Sequence, residues 1–330
     1  MRKCLICLLL ALCLLGNALA EVALSPAGIG THVKNFAAVY DDENGATYFV
    51  LQGTLGCPAF WRYHPEEGWR KISQIWNDVW DVKYSGGWLF YKKSGGWSGG
   101  YTDLHAVNVE TGKKVYLLRN RCSLITAHAG EAIVWDSLAE QYVRLNPETM
   151  TRAEIECLGG WRTTKGVSWR EKDGQWYFQP CGGETVPLNY AEDVQTVYAL
   201  SQDCWVSLTG AMEFQLSIYR GGEAVLSEAY SQCLVDDCYV VWYTIEQEKS
   251  TSQVGGTKIT TAAEEHIKHL YIYNTQTGAE PLQLSIPVNM RIDHGMYLAD
   301  DKVWLLTESG RQSTITCVDL ATGEITTLQN

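Results

Sequence analysis

The sequence has little from which a helical enzyme could be built. No stretch after the first twenty residues keeps a convincing amphipathic helical period; the nearest, Ala262 to His269, is short and leads straight into a strand. Catalytic signatures are missing as well. G-x-S-x-G occurs once, at Gly96 to Gly100 around Ser98, but within a glycine-rich run and in no strand-turn-helix context, so it does not read as a nucleophile elbow; there is no H-E-x-x-H, which excludes the zincin arrangement of two ligands and a base on one helical face. After the first twenty residues C-x-x-C is absent, so the cysteines there do not show that spacing of a structural zinc site. Proline is scarce, at 8 of 330 residues, and no serine-rich or charge-block segment reads as a linker. One domain is therefore preferred to two. Positive charge is also in short supply, with 26 Lys and Arg against 38 Asp and Glu and a net charge of −12. Such a surface repels phosphate backbones and argues against nucleic acid as a partner.

The N-terminus has a basic start at Arg2 and Lys3, a leucine-rich run to Leu15, and a small-residue end at Ala18-Leu19-Ala20. This pattern predicts a secretory signal peptide over 1–20, with 21–330 as a single exported domain at the cell surface or beyond. The apolar run is too short to span a bilayer, and no second one approaches that length, so no membrane span is expected. Eight cysteines follow the leader. Cys233 and Cys238 flank a predicted turn, and Cys157 and Cys181 fall on neighbouring repeats; these are the two disulfides the spacing suggests.

What the sequence has in abundance is one turn. Asn108-Val109-Glu110-Thr111-Gly112, Asn274-Thr275-Gln276-Thr277-Gly278 and Asp319-Leu320-Ala321-Thr322-Gly323 share it, and Asn146 to Met150 is a degenerate copy. Each lies between two alternating apolar strands, with the Asn or Asp side chain capping the turn and Gly taking the left-handed conformation. An earlier hairpin in each repeat carries an aromatic-rich strand. These strands fall at Tyr48 to Leu51, Trp88 to Tyr91, Ile133 to Trp135, Trp176 to Phe178, Trp205 to Leu208, Val240 to Tyr243 and Val303 to Leu306. Their recurrence at a period of about 40 residues predicts an all-β fold, a β-propeller of seven four-stranded blades. The first strands of the blades are expected near Phe36, Val79, Leu124, Gly166, Gln195, Gln232 and Asp293.

The D/N-x-x-T-G turn and its preceding strand resemble the blade repeat of bacterial secreted propellers of the quinoprotein-like and YWTD-like groups. The quinoprotein repeat carries a Trp shortly after the Gly, where this chain has Tyr116 or nothing comparable. The resemblance therefore implies a fold and no quinone, and no cofactor is expected.

In a propeller, the loop between the second and third strands and the link to the next blade emerge on one face. That face would hold Trp97 and Tyr101 in a glycine-rich loop, the polar segment from Gln247 to His266, Trp76 and Trp80 on the link to blade 2, and Trp161 and Arg162 on the link to blade 4. Exposed aromatic rings suit stacking on sugars or anchoring a protein. With His294 near the channel, these residues make the candidate binding set. The expected function is a non-catalytic, extracytoplasmic propeller that binds a glycan or protein ligand through its tryptophan loops. The alternative is a glycoside hydrolase or lyase using carboxylates at the channel mouth, with Asp78, Asp81 and Asp293 as candidates. No metal site is expected: Asp41 to Gly45 lacks a full calcium loop, and His266 and His269 would point to opposite faces of a strand.

Overall fold

The computed structural model describes residues 36–52, 57–94, 102–119, 122–155, 161–163, 165–171, 174–180, 183–188, 196–209, 214–236, 238–248, 251–254, 257–260, 264–286, 289–290, 296–309 and 312–328. They form seven antiparallel sheets arranged in a ring, a seven-bladed β-propeller. Blade 1 is β1 (Ala37–Asp41), β2 (Ala46–Gln52), β3 (Pro58–His64) and β4 (Gly68–Gln74). Blade 2 is β5 (Val79–Ser85), β6 (Trp88–Ser94), β7 (Thr102–Asn108) and β8 (Lys114–Leu118), and blade 3 is β9 (Cys122–His128), β10 (Glu131–Asp136), β11 (Gln141–Leu145) and β12 (Arg152–Glu154). Blade 4 follows with β13 (Trp161–Thr163), β14 (Gly166–Arg170), β15 (Trp176–Pro180) and β16 (Val186–Pro187), and blade 5 with β17 (Thr196–Ala199), β18 (Cys204–Thr209), β19 (Gln215–Arg220) and β20 (Glu223–Ala229).

Blade 6 holds β21 (Gln232–Asp236), β22 (Tyr239–Glu248), β25 (Glu264–Asn274) and β26 (Leu282–Ser285). Between its two long strands, β23 (Thr251–Val254) and β24 (Thr257–Thr260) pair as a separate hairpin. The segment that composition marks as a polar loop is thus a β-projection. Its Thr, Val and Ile residues favour extended backbone once the blade strands below set the register. Blade 7 has a divided inner edge, β27 (Asn289–Met290) and β28 (Met296–Ala299), followed by β29 (Lys302–Ser309), β30 (Gln312–Asp319) and β31 (Ile325–Leu328).

The recurring turn joins the third and fourth strands in blades 2, 3, 6 and 7. Asn108 Oδ1 accepts the main-chain N–H groups of Glu110 at 3.2 Å and Thr111 at 2.9 Å; Asp319 Oδ1 does the same for Ala321 at 3.0 Å and Thr322 at 2.8 Å. The Thr hydroxyl donates back to the cap and accepts from the residue two places on, which explains why Thr holds the fourth position. These N–H donors pull the Asp319 carboxyl below the usual range. Gly112 sits at φ 67°, and a Cβ there would approach the Ile72 carbonyl of blade 1 to 2.9 Å, so both backbone and space demand glycine. In the degenerate copy Met150 takes the same left-handed region at φ 58°.

Blade 4 departs from the sequence expectation by one strand. Trp176–Pro180 is its third strand, and the short β14 is the second, so the inner strand is β13 and not one starting at Gly166. Trp161 and Arg162 therefore lie within that inner strand and not on a link between blades. The shift arises because β13 is only three residues long, too short to show period-2 alternation.

Apolar clusters fill the seams between blades. The joint between blades 7 and 1 closes the ring. No blade draws strands from both chain ends among the described residues. Closure rests instead on packing of Phe36, Phe49, Leu51 and Trp61 against Trp304, Leu306, Ile315 and Cys317. Phe49 is central: its ring lies 5.0 Å from that of Trp304 and 5.3 Å from that of Trp69.

Candidate functional site

Among the described residues the innermost strands β1, β5, β9, β13, β17, β21 and the β27–β28 pair each pair with another strand on one side only, leaving the other edge towards the axis; on β17 that edge is partly taken by blade 4, where Ser168 Oγ bonds the Val197 carbonyl and the Ala199 N–H and Thr163 Oγ1 donates to the Ala199 carbonyl. A free edge is a row of unpaired main-chain N–H and C=O groups. Trp80 and Asp81 lie on the inner strand of blade 2. There the pairing with β6 slips between Trp80 and Lys83, and Asp81 takes φ 53°. The slip lets Val79 and Val82 both face blade 1, while Trp80 is turned out, 36 % exposed. Trp76, on the link before β5, is 61 % exposed. Neither packs as an inter-blade core residue.

Of the expected carboxylates, Asp78 lies on the link to blade 2 and Asp81 on its inner strand. Asp81 is held by Lys92 Nζ at 2.8 Å. Asp78 is exposed, and its carbonyl accepts from the Ser94 N–H at 3.3 Å. Asp293 lies outside the described residues, as do Trp97, Tyr101 and His294; for Trp161 and Arg162 only the backbone is described. Of the expected binding residues, Trp76 and Trp80 are the two whose side chains can be placed. The described residues hold no group of three or more candidate metal ligands. Among them, no helix is long and apolar enough to cross a membrane. Cys233 is set opposite Trp242 in the β21–β22 register and Cys238 lies in the turn beyond the strand, so no disulfide joins them. Cys157 and Cys181 are outside the described residues.

Two polar clusters that motif reading missed sit at the seam between blades 1 and 2. In the first, Asp41 is fully buried and accepts from Tyr84 Oη at 2.6 Å, Asn44 Nδ2 at 2.8 Å and Tyr48 Oη at 3.2 Å. Burial, with the adjacent carboxylate, pushes both tyrosine hydroxyls far above their ordinary range. In the second, His105 lies between two tyrosines, its ring centroid 5.6 Å from that of Tyr91 and 5.1 Å from that of Tyr116. Burial, with the charges of Lys93 and Lys114, lowers its pKa to about 4 against a smaller opposing effect of Asp103. Burial and the nearby Lys93 likewise depress Lys114. Neither cluster has a sequence signature, because the contacts join residues from different strands and, for Asp41 and Tyr84, from different blades.

No family model matches the chain, and no curated protein matches it. Solved structures do. The β-propeller domain of the trilobed protease from Pyrococcus furiosus, described as having an open velcro topology, is similar at 13 % identity and a TM-score of 0.51, over 89 % of this chain and 98 % of that one. The acylaminoacyl peptidase of Pyrococcus horikoshii is similar at 11 % identity and a TM-score of 0.52, over 93 % of this chain and 54 % of that one. An acylaminoacyl peptidase bound to Z-Gly-Gly-Phe-chloromethyl ketone gives 11 % identity and a TM-score of 0.51 with the same coverage. The chain thus spans about half the length of the acylaminoacyl peptidases it matches. These neighbours correct the functional expectation: they are the β-propeller domain of a protease and acylaminoacyl peptidases. That displaces both the glycan- or protein-binding propeller working through tryptophan loops and the glycoside hydrolase or lyase. At such identities the likeness establishes the fold: a seven-bladed, all-β propeller, as the sequence repeat predicts.

Proposed function

We propose that this chain is the propeller module of a peptidase system, holding extended polypeptide at its channel while hydrolysis is supplied by a separate domain or chain. The observation that supports this reading is the ring of innermost strands, which among the described residues pair with another strand on one side only, β17 having edge groups taken by side chains of blade 4. An extended peptide is the ligand whose own N–H and C=O groups match such an edge, as in strand addition to an open sheet. The likeness to peptidase propellers supports the same reading, and the leader read at residues 1–20 would place the activity outside the cytoplasm.

The test is fluorescence anisotropy of a labelled, unstructured ten-residue peptide titrated with the full chain. Saturable binding without cleavage is expected. Methylating alternate main-chain nitrogens of the peptide removes its donors and should weaken binding by about ten-fold. Equal binding of both peptides, or none of either, would overturn the reading.

A further inference from the structure

Resting on the peptide-holding reading, we propose that the seam between blades 1 and 2 carries a carboxylate-docking site. In it Lys93 and Lys114 receive the anion, and the exposed rings of Trp76 and Tyr116 flank it. The strand registers put the parts on one side of blade 2. Lys93 is opposite Asp103, His105 opposite Tyr91 and Tyr116, and Lys114 opposite Val107. That side faces blade 1, since Tyr91 and Val107 pack with Phe60 and Ile75 of the link. Residues share a face when directly opposed across a pleated pair, so Lys93, His105, Tyr116 and Lys114 line a common surface.

The link from blade 1 completes it. Lys114 Nζ donates to the Gln74 carbonyl, and Asn77 Nδ2 donates to the Ser94 carbonyl at 2.8 Å, so the link is tied to β8 before Trp76 and to the end of β6 after it. Trp76 is 61 % exposed and Tyr116 43 %. Large apolar rings left in water beside cations mark a surface built for contact.

Charge identifies the occupant. The chain as a whole carries −12, yet from Ile75 to Arg121 it holds seven Lys and Arg against four Asp and Glu. Asp81 is tied to Lys92, and Glu110 to Arg70 at 3.1 Å. Asp103 is the one carboxylate on the lysine-bearing face. Among the described residues no ion pair holds Lys93 or Lys114, and with burial their two charges, opposed by the single Asp103, suppress protonation of His105. An arriving carboxylate relieves that repulsion and gains charge-assisted hydrogen bonds. Its source is either an acidic side chain or the C-terminal carboxylate of a peptide.

Three labelled peptides of one sequence separate the cases: an internal Glu with an amidated C-terminus, an internal Gln with a free C-terminus, and an internal Gln with an amidated C-terminus. Anisotropy with the full chain should show the first or second binding at least about ten-fold more tightly than the third. The preference should vanish in the Lys93→Gln/Lys114→Gln variant, while affinity for the uncharged peptide stays the same. Both lysines are partly exposed, so the variant is expected to fold, which the wild-type urea midpoint would verify. Three peptides bound equally well by the wild type, or a preference retained by the variant, overturns the docking site and leaves the peptide reading standing. Absence of binding for all three overturns both.

Discussion

Blade 1 meets its two neighbours through opposite chemistry. Towards blade 7 the seam is largely apolar and aromatic, with Phe36, Phe49, Trp61 and Trp304 in one cluster across the joint that closes the ring, Phe49 meeting Trp304 edge to face. Towards blade 2 the apolar packing is interrupted by a buried carboxylate shared between Tyr48 and Tyr84, and further out by a histidine set among lysines. The difference follows from what each joint must do. Among the described residues no strand is shared between blades 7 and 1, so their joint rests chiefly on buried area, and area is non-directional. Blades 1 and 2 are covalently consecutive. Their seam can hold polar groups whose partners fix a register and whose charge remains available to a ligand.

The largest test of this contrast is Phe49→Ala. It removes a fully buried ring from the closing joint and is expected to lower stability by about 3–5 kcal/mol, read as a fall in the urea midpoint. A loss below about 1 kcal/mol would mean that the ring is closed by something other than this packing.

Asp41→Ala should be milder, about 2–3 kcal/mol, because it strands the Tyr48 and Tyr84 hydroxyls without an acceptor and leaves the surrounding apolar contacts in place. A double-mutant cycle with Tyr84→Phe isolates the inter-blade bond, and additive losses would show that the 2.6 Å contact contributes no coupling.

The smallest effect is a pH slope from His105. Its folded pKa, about 4, lies below the ordinary value of 6.5, so the unfolded chain binds more protons between them. The contribution is present in full above about pH 6.5 and is lost as pH falls towards 4. The ring is half-buried, so solvent screening reduces the linkage to roughly 1–2 kcal/mol. In His105→Asn this part of the slope between pH 7 and pH 4.5 should be missing; an unchanged slope would place the titration elsewhere.

Much of the architecture was legible before any coordinates. The capped Asn/Asp-to-Gly turn is a local device whose hydrogen bonds stay within five residues, so it reads out of sequence directly and sets the blade period. The aromatic strands were second strands in six blades, because alternation over five or more residues is also a local signal. Blade 4 failed where β13 has three residues and β16 two, too few for a period. The candidate site was harder to read. Trp76 was legible as a tryptophan on a link, whereas Trp80 belongs to β5, and its exposure depends on a slip in the β5–β6 pairing that composition does not encode.

By itself, then, the sequence determined the repeat, the strand alternation and the blade number, because turns and periods are set by neighbours along the chain. The tertiary structure alone decided how the ring closes, which tryptophans reach solvent, and where Asp41 and His105 find their partners. Those outcomes depend on side chains far apart in sequence whose meeting is fixed only when one blade is laid against the next.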